Sequence, residues 1–208
     1  MFDSGIKIRD IIEELYSEVD IALEIPNKTY IEWFNALQQL LYSEIIKEQR
    51  KTVLSPPYNS PIGISSIVPE SNENKPRFED IHTIYAKNSN DFDIQLHKTS
   101  VTSGSIFPNT YFKENNNIGI NIEFEPAEIR IIYFVKPALV TVSETDVISD
   151  DNVMIPVEFI DLVKSKLRGE AYKLANEDNL AAKWLNDYNT HLETFRAWMA
   201  EKSANFGR

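Results

Sequence analysis

With 208 residues, no cysteine and a formal net charge of −11, the chain is long enough to bury a sizeable core without disulfide or metal support. Its acidic balance disfavours attachment to duplex DNA, which takes clustered Lys and Arg against the phosphates. No apolar run approaches the roughly 20 residues that a membrane span needs, and "MFDSGIKIRDIIEELYSE" lacks the apolar core of a signal peptide, so a soluble intracellular product is expected.

Residues 6–50 are expected to be helical. Ile8, Ile11, Ile12, Leu15, Val19 and Ala22 recur at intervals of three and four, which puts them on one stripe. "EIPNK" interrupts it, and Thr29-Tyr-Ile-Glu32 has the form of a capping box. Ile31, Phe34, Leu37, Leu41 and Ile45 make the line of the second helix, widened by Tyr30, Trp33 and Leu40. Lys47-Glu-Gln-Arg-Lys51 reads as its charged C-terminal end. Residues 52–77 hold five prolines with Ser and Asn between them, which predicts a long loop or an arm.

From 78 to 140 the apolar period falls to two. "FEDIHTIYA" and "DFDIQL" predict short strands, and "TYFKENNNIGINIEF" predicts a hairpin that turns at Asn115-Asn116-Asn117. "EIRIIYFVKP" is the most apolar strand, expected to be central and ended by Pro137. Residues 156–200 return to helix. Pro156 suits a first helical turn, and Ile160, Val163, Leu167, Ala171 and Leu174 make a buried line. A break at "NED" follows, and Asp178 is a candidate cap for the next helix. That helix carries Leu180, Trp184, Tyr188, Leu192, Phe195 and Trp198 on a broad apolar stripe, and 201–208 is expected to be a loose tail. The expected fold class is α+β within a single domain, 1–208. N-terminal helices and long C-terminal helices pack around a small, mostly antiparallel β-region in the middle of the chain.

The residue types that carry chemistry are present without the frames that chemistry needs. His82, His97 and His191 have no metal-ligand spacing. Glu13-Glu14, Asp150-Asp151 and Glu177-Asp178 are adjacent pairs, and neighbours on a helix do not share a face. "TSGS" at 102–105 is a lone glycine among small residues rather than a phosphate loop, and no nucleophile elbow or dinucleotide fingerprint occurs. No catalytic residue, cofactor or metal is therefore expected. Trp184, Tyr188, Phe195 and Trp198 are the candidates for a subunit or partner interface, where large aromatic anchors concentrate. The competing reading places them in the intramolecular core.

"WFNALQQL" at 33–40, a late strand ending in Lys136-Pro137, an acidic spacer, Ile155-Pro156, Ala171-Tyr172 and the break at Asn176–Asp178 follow one another in an order that resembles the head-to-tail connector (adaptor) proteins of tailed bacteriophages. The resemblance implies a structural, non-enzymatic virion protein at the neck, assembled in the host cytoplasm. It implies a closed ring, usually twelve-fold, under the portal protein, which extends the DNA channel and offers a docking face to the next neck or tail protein. Genomic DNA would pass through without specific binding, and Trp184, Tyr188, Phe195 and Trp198 would serve the subunit or portal interface. Another neck or tail-completion protein, a stopper or terminator, shares the same features. A carboxylate-dependent hydrolase and a cellular scaffold module are the further alternatives.

Overall fold

The computed structural model describes residues 2–18, 25–57, 61–67, 77–100, 107–149 and 151–206, the side chains of 203–206 excepted. The chain forms two compact units. One joins Met1–Ile46 to Leu139–Arg208, and the other is Lys47–Ala138. Each has its own apolar core.

In the first unit, α1 (Ile8–Glu18) buries Ile8, Ile11, Ile12 and Leu15 on the expected stripe. Val19 and Ala22 lie outside the described residues. The second helix, α2 (Asn27–Leu40), starts earlier than the capping box implies. Pro26 is its N-cap and makes no side-chain cap bond, so Thr29 falls inside the first turn, its N–H donating to the Pro26 carbonyl at 3.0 Å. Tyr30, Ile31, Phe34 and Leu37 are buried, and the helix then continues as a π-helical segment, Leu41–Ile46. Leu41 and Tyr42 are buried side by side, each four residues beyond buried Leu37 and Gln38, while Leu40 is exposed.

Two amides on α2 hold an extended stretch that leads to the C-terminal helices. Asn35 clamps the backbone of Val140 from both sides: its Oδ1 accepts from the N–H at 3.0 Å and its Nδ2 donates to the carbonyl at 2.9 Å. Buried Gln38 accepts the Met154 N–H through Oε1 at 3.1 Å. Each bond satisfies a backbone group that a strand partner would otherwise have to meet.

Pro156 ends this stretch in an extended conformation, and a short 3-10 turn, Val157–Phe159, leads into α4 (Ile160–Leu174). The chain reverses at Ala175 and Asn176, the latter at φ 60°, a conformation Asn tolerates better than most residues. Next comes α5 (Asp178–Phe206), whose 29 residues span about 44 Å. It runs through most of 201–208, expected to be a loose tail, while 207–208 lie outside the described residues. Gly169 sets the closeness of α4 to α5. A Cβ there would stand 2.7 Å from Leu185 Cδ2 and 3.3 Å from its backbone nitrogen. Gly169→Val is therefore expected to cost about 1–3 kcal/mol through overpacking, read as a lower urea midpoint with the secondary structure retained. An unchanged midpoint would mean the helices part without loss.

The second unit is a curled, mixed sheet of seven strands in the order β1-β7-β3-β4-β5-β6-β2. The strands are β1 (Gln49–Leu54), β2 (Ile62–Gly63), β3 (Arg77–Lys87), β4 (Asp93–Lys98), β5 (Thr110–Glu114), β6 (Asn117–Asn121) and β7 (Glu128–Lys136). A single helical turn, α3 (Ile64–Ile67), follows β2. Neighbours are antiparallel except β4 and β5, which run parallel. β7 is interior, flanked by β1 and β3, and alternates strictly, with Ile129, Ile131, Tyr133 and Val135 buried. The β5–β6 hairpin turns through Asn115 (φ 51°) and Asn116 between the paired Glu114 and Asn117.

The expected fold class is thereby corrected. The fold is mixed α/β: the sheet is large rather than small, and the helices are not mainly long C-terminal ones packed around it. Among the described residues only α5 is long, and the helices at both chain ends build a core of their own. The charged run 47–51 begins a strand instead of ending a helix, because Gln49–Leu54 pair residue by residue with Phe134–Ile129. The proline-rich stretch likewise supplies the rest of β1, β2 and α3, with Pro56, Pro57 and Pro61 placed between β1 and β2. Its residues 58–60 and 68–76, and "TSGS" at 102–105, lie outside the described residues. α3 is tied to the sheet at the Ile67 carbonyl, which accepts from Thr52 Oγ1 at 2.7 Å and from the Tyr133 hydroxyl at 3.3 Å.

Candidate interaction surface

The four aromatic candidates on α5 do not form one exposed stripe. Phe195 is 0% exposed and presents no surface to a partner. Its ring packs against Phe159 at 4.9 Å and Trp198 at 6.2 Å. Trp198 is half-buried between Phe159 at 5.3 Å and Phe2 at 5.9 Å, with Lys202 Nζ 4.0 Å above its ring. Trp184 and Tyr188 are also half-buried. Arg168 and Lys183 flank the Trp184 ring at 4.7 and 5.1 Å, and Lys166 lies 5.1 Å from that of Tyr188. Cations over these ring faces are attracted by the quadrupole. Burial pushes the Tyr188 hydroxyl above its ordinary value, and nearby Arg196 works against that shift.

The residues that sequence reasoning misplaced are leucines. Leu174, expected on the buried line of α4, and Leu180, expected on the apolar stripe of α5, are 58% and 41% exposed. Leu174 is the last residue of α4 and Leu180 stands near the start of α5, on either side of the reversal at Ala175–Asn176. The signal was their position beside the "NED" break: the last apolar residue before a turn and the first after it have only each other to pack on. Trp184 is four residues beyond Leu180, on the same side of α5, so the tip of the α4–α5 pair carries Leu174, Leu180 and part of Trp184.

The charges are distributed unevenly. Residues 47–138 hold 10 Lys and Arg against 11 Asp and Glu, which leaves 11 against 21 in the helical unit. The acidic excess therefore sits almost wholly on the helical unit. Residues 139–155 contribute Glu144, Asp146, Asp150 and Asp151 and no cation.

The groups that enzyme chemistry would use are dispersed. His82 packs edge-on against Phe134 at 5.1 Å, and among the described residues no three His, Asp or Glu side chains come together as metal ligands. A cleft of about 310 Å³ lies on the β5–β6 hairpin, where a Cβ at Gly119 would stand 2.1 Å from Phe112 Cζ, so the ring lies across the glycine. Glu114 is the only carboxylate lining that cleft.

Tyr30 marks a weak point in the core of the helical unit. It is fully buried between Tyr16 and Trp33, and its hydroxyl has no hydrogen-bond partner among the described residues. Burial, reinforced by Tyr16, holds its ionisation far above the ordinary value near 10. A folded-state value above the unfolded one favours the neutral hydroxyl in the fold. The contribution is thus complete below about pH 10 and is lost as pH rises beyond it. Tyr30→Phe removes an unsatisfied donor. It is expected to leave stability unchanged or raise it by up to about 1–2 kcal/mol at neutral pH, and to blunt the loss above about pH 10. Urea titrations at both pH values check this; a clear loss of stability at neutral pH would contradict it.

Neither a protein-family model nor a curated protein matches the chain.

Proposed function

We propose that the chain is a structural component of a tailed-bacteriophage neck: a head-to-tail connector that forms a ring below the portal, extends the DNA channel and docks the next tail component. The observation that carries this reading is the order of elements along the chain. Two helices precede a strand-rich middle, a late strand ends in Lys136-Pro137, and Ile155-Pro156 opens a helix pair broken at Asn176. The two terminal helical stretches share one core, so the β-rich stretch is an insertion in sequence that folds as its own unit.

Three features support the reading. A helix pair with an exposed apolar tip is suited to a rigid subunit that must meet a neighbour. A head-to-tail contact repeated about an axis closes into a ring. The net charge of −11 suits a channel component that lets DNA pass, because attachment would require cations against the phosphates. A stopper or terminator at the same neck is the second reading, and only position along the neck separates it from the first.

The test is to image the purified chain by negative stain, alone and mixed with the portal protein of the same particle. Closed rings seated on the portal are expected, twelve-fold by the resemblance. A chain that stays monomeric and leaves the portal bare would overturn the connector reading.

A further inference from the structure

The α4–α5 tip sets apolar residues among three cations, and a hollow elsewhere on the helical unit sets apolar residues beneath an acidic rim. The tip offers Leu174 and Leu180, both exposed, and the half-buried Trp184. Arg168 and Lys183 lie against the Trp184 ring and Lys173 is exposed beside Leu174, while Glu177 and Asp178 occupy the turn. The hollow has a volume of about 170 Å³, room enough for a branched aliphatic side chain. Its floor is Ile12, Tyr16 and Ile148, with Val147 beside it at 61% exposure. Its rim carries Glu13 and Asp146, and Arg9, the one cation there among the described residues, lies 3.7 Å from Glu13 and 3.8 Å from Asp10. Glu144 adds a further negative charge two residues before Asp146.

The two features lie on different sides of α1. Arg9, Glu13 and Tyr16, spaced by four and three, face the hollow, whereas Glu14 reaches α4, bonding Lys164 at 2.6 Å and approaching Arg168 at 3.8 Å. Consecutive residues are about 100° apart around a helix. One copy therefore has no evident way to seat its own tip in its own hollow, while a second copy has.

We infer that the α4–α5 tip of one copy docks into the hollow beside Val147 of a second copy, with Leu180 as the apolar anchor. The tip cations face the Glu13, Glu144 and Asp146 rim. The contact joins two different patches, so it is heterologous and repeats from copy to copy. It deepens the connector reading, which it needs only for the closure of that repeat into a ring. Complementary charge at the rim sets partner and register, while the buried apolar anchor holds the contact.

The test follows self-association of the full chain by sedimentation velocity over a wide concentration range. Wild type is expected to associate. Leu180→Asp and Val147→Asp, both at exposed positions that spare the core, are each expected to weaken association about tenfold or more. Leu174→Asp serves as a second tip variant, and circular dichroism verifies folding. Each single variant keeps one intact patch, so Leu180→Asp mixed with Val147→Asp is expected to give a one-to-one dimer and nothing larger. The inference is overturned if wild type stays monomeric at every concentration, if Val147→Asp associates as wild type does, or if the mixture forms no dimer. Rings on the portal that persist in Val147→Asp would refute this contact and leave the connector reading intact. Tip-to-hollow association without any ring on the portal would do the reverse.

Discussion

Leu167→Asp is expected to abolish the folded helical unit at neutral pH. Leu167 is completely buried in the middle of α4, within the core that also holds Val163, Ala171, Leu192 and Phe195. Removing the leucine forfeits about 1.5–3 kcal/mol of apolar burial. The larger cost is the carboxylate, which must either stay charged in an apolar site or take up a proton, at several kcal/mol in either case. A whole domain is stable by only about 5–15 kcal/mol, so the two costs together approach that margin. Far-UV circular dichroism and limited proteolysis would show loss of helix and rapid cleavage. Glu177→Gln is the control: Glu177 is exposed at the α4–α5 turn, and its substitution should change neither reading. A Leu167→Asp chain that kept its helices and its urea midpoint would mean that α4 packs by another face.

Phe195→Ala is expected to cost about 3–5 kcal/mol in the isolated chain, the range for deleting a large buried aromatic. The ring lies between Phe159 and Trp198, and both would lose a packing partner. Neither neighbour can fill the space without leaving its other contacts, since Trp198 also meets Phe2. Equilibrium unfolding followed by tryptophan fluorescence measures the effect. The experiment discriminates between two roles for this residue. A core role lowers monomer stability, whereas an interface role would spare the monomer and weaken only assembly.

The elements that could be read from the sequence are those fixed by local pattern. The stripes at intervals of three and four on α1, α2, α4 and α5, the alternation in β7, and the Asn-rich hairpin turn each depend on residues close in the chain. β1 could not be read that way. "QRKTVL" is two-thirds charged or polar and follows a helix, and it becomes a strand because the open edge of β7 supplies its backbone partners. The π segment was hidden for a similar reason: only packing decides that Leu41 and Tyr42 both turn inward. Pro26 displaced the capping box by opening α2 two residues ahead of Thr29. The existence of two cores is a non-local fact, set by which chain ends meet.

The α5 aromatics were legible in the sequence, and their exposure was not. The α5 aromatics were found by their spacing, but which of them is covered depends on the phase between α5 and its neighbours, set by the close approach at Gly169 and by Phe159. Phe195 turned inward, Trp184 and Tyr188 came to lie beneath cations, and the exposed apolar residues are Leu174 and Leu180 at the tip. Trp184→Asp should accordingly disturb folding far less than Leu167→Asp, because Trp184 is only half-buried.

The central claim is a place in the virion neck, and location tests it most directly. Tailed particles produced from the genome that encodes the chain would be purified, their proteins quantified by peptide mass spectrometry, and the particles labelled with gold-tagged antibody against this chain. The account predicts that the chain is present at a fixed ratio to the portal protein, with gold confined to the junction of head and tail. Intact particles that lack the chain, or gold scattered away from that junction, would contradict it.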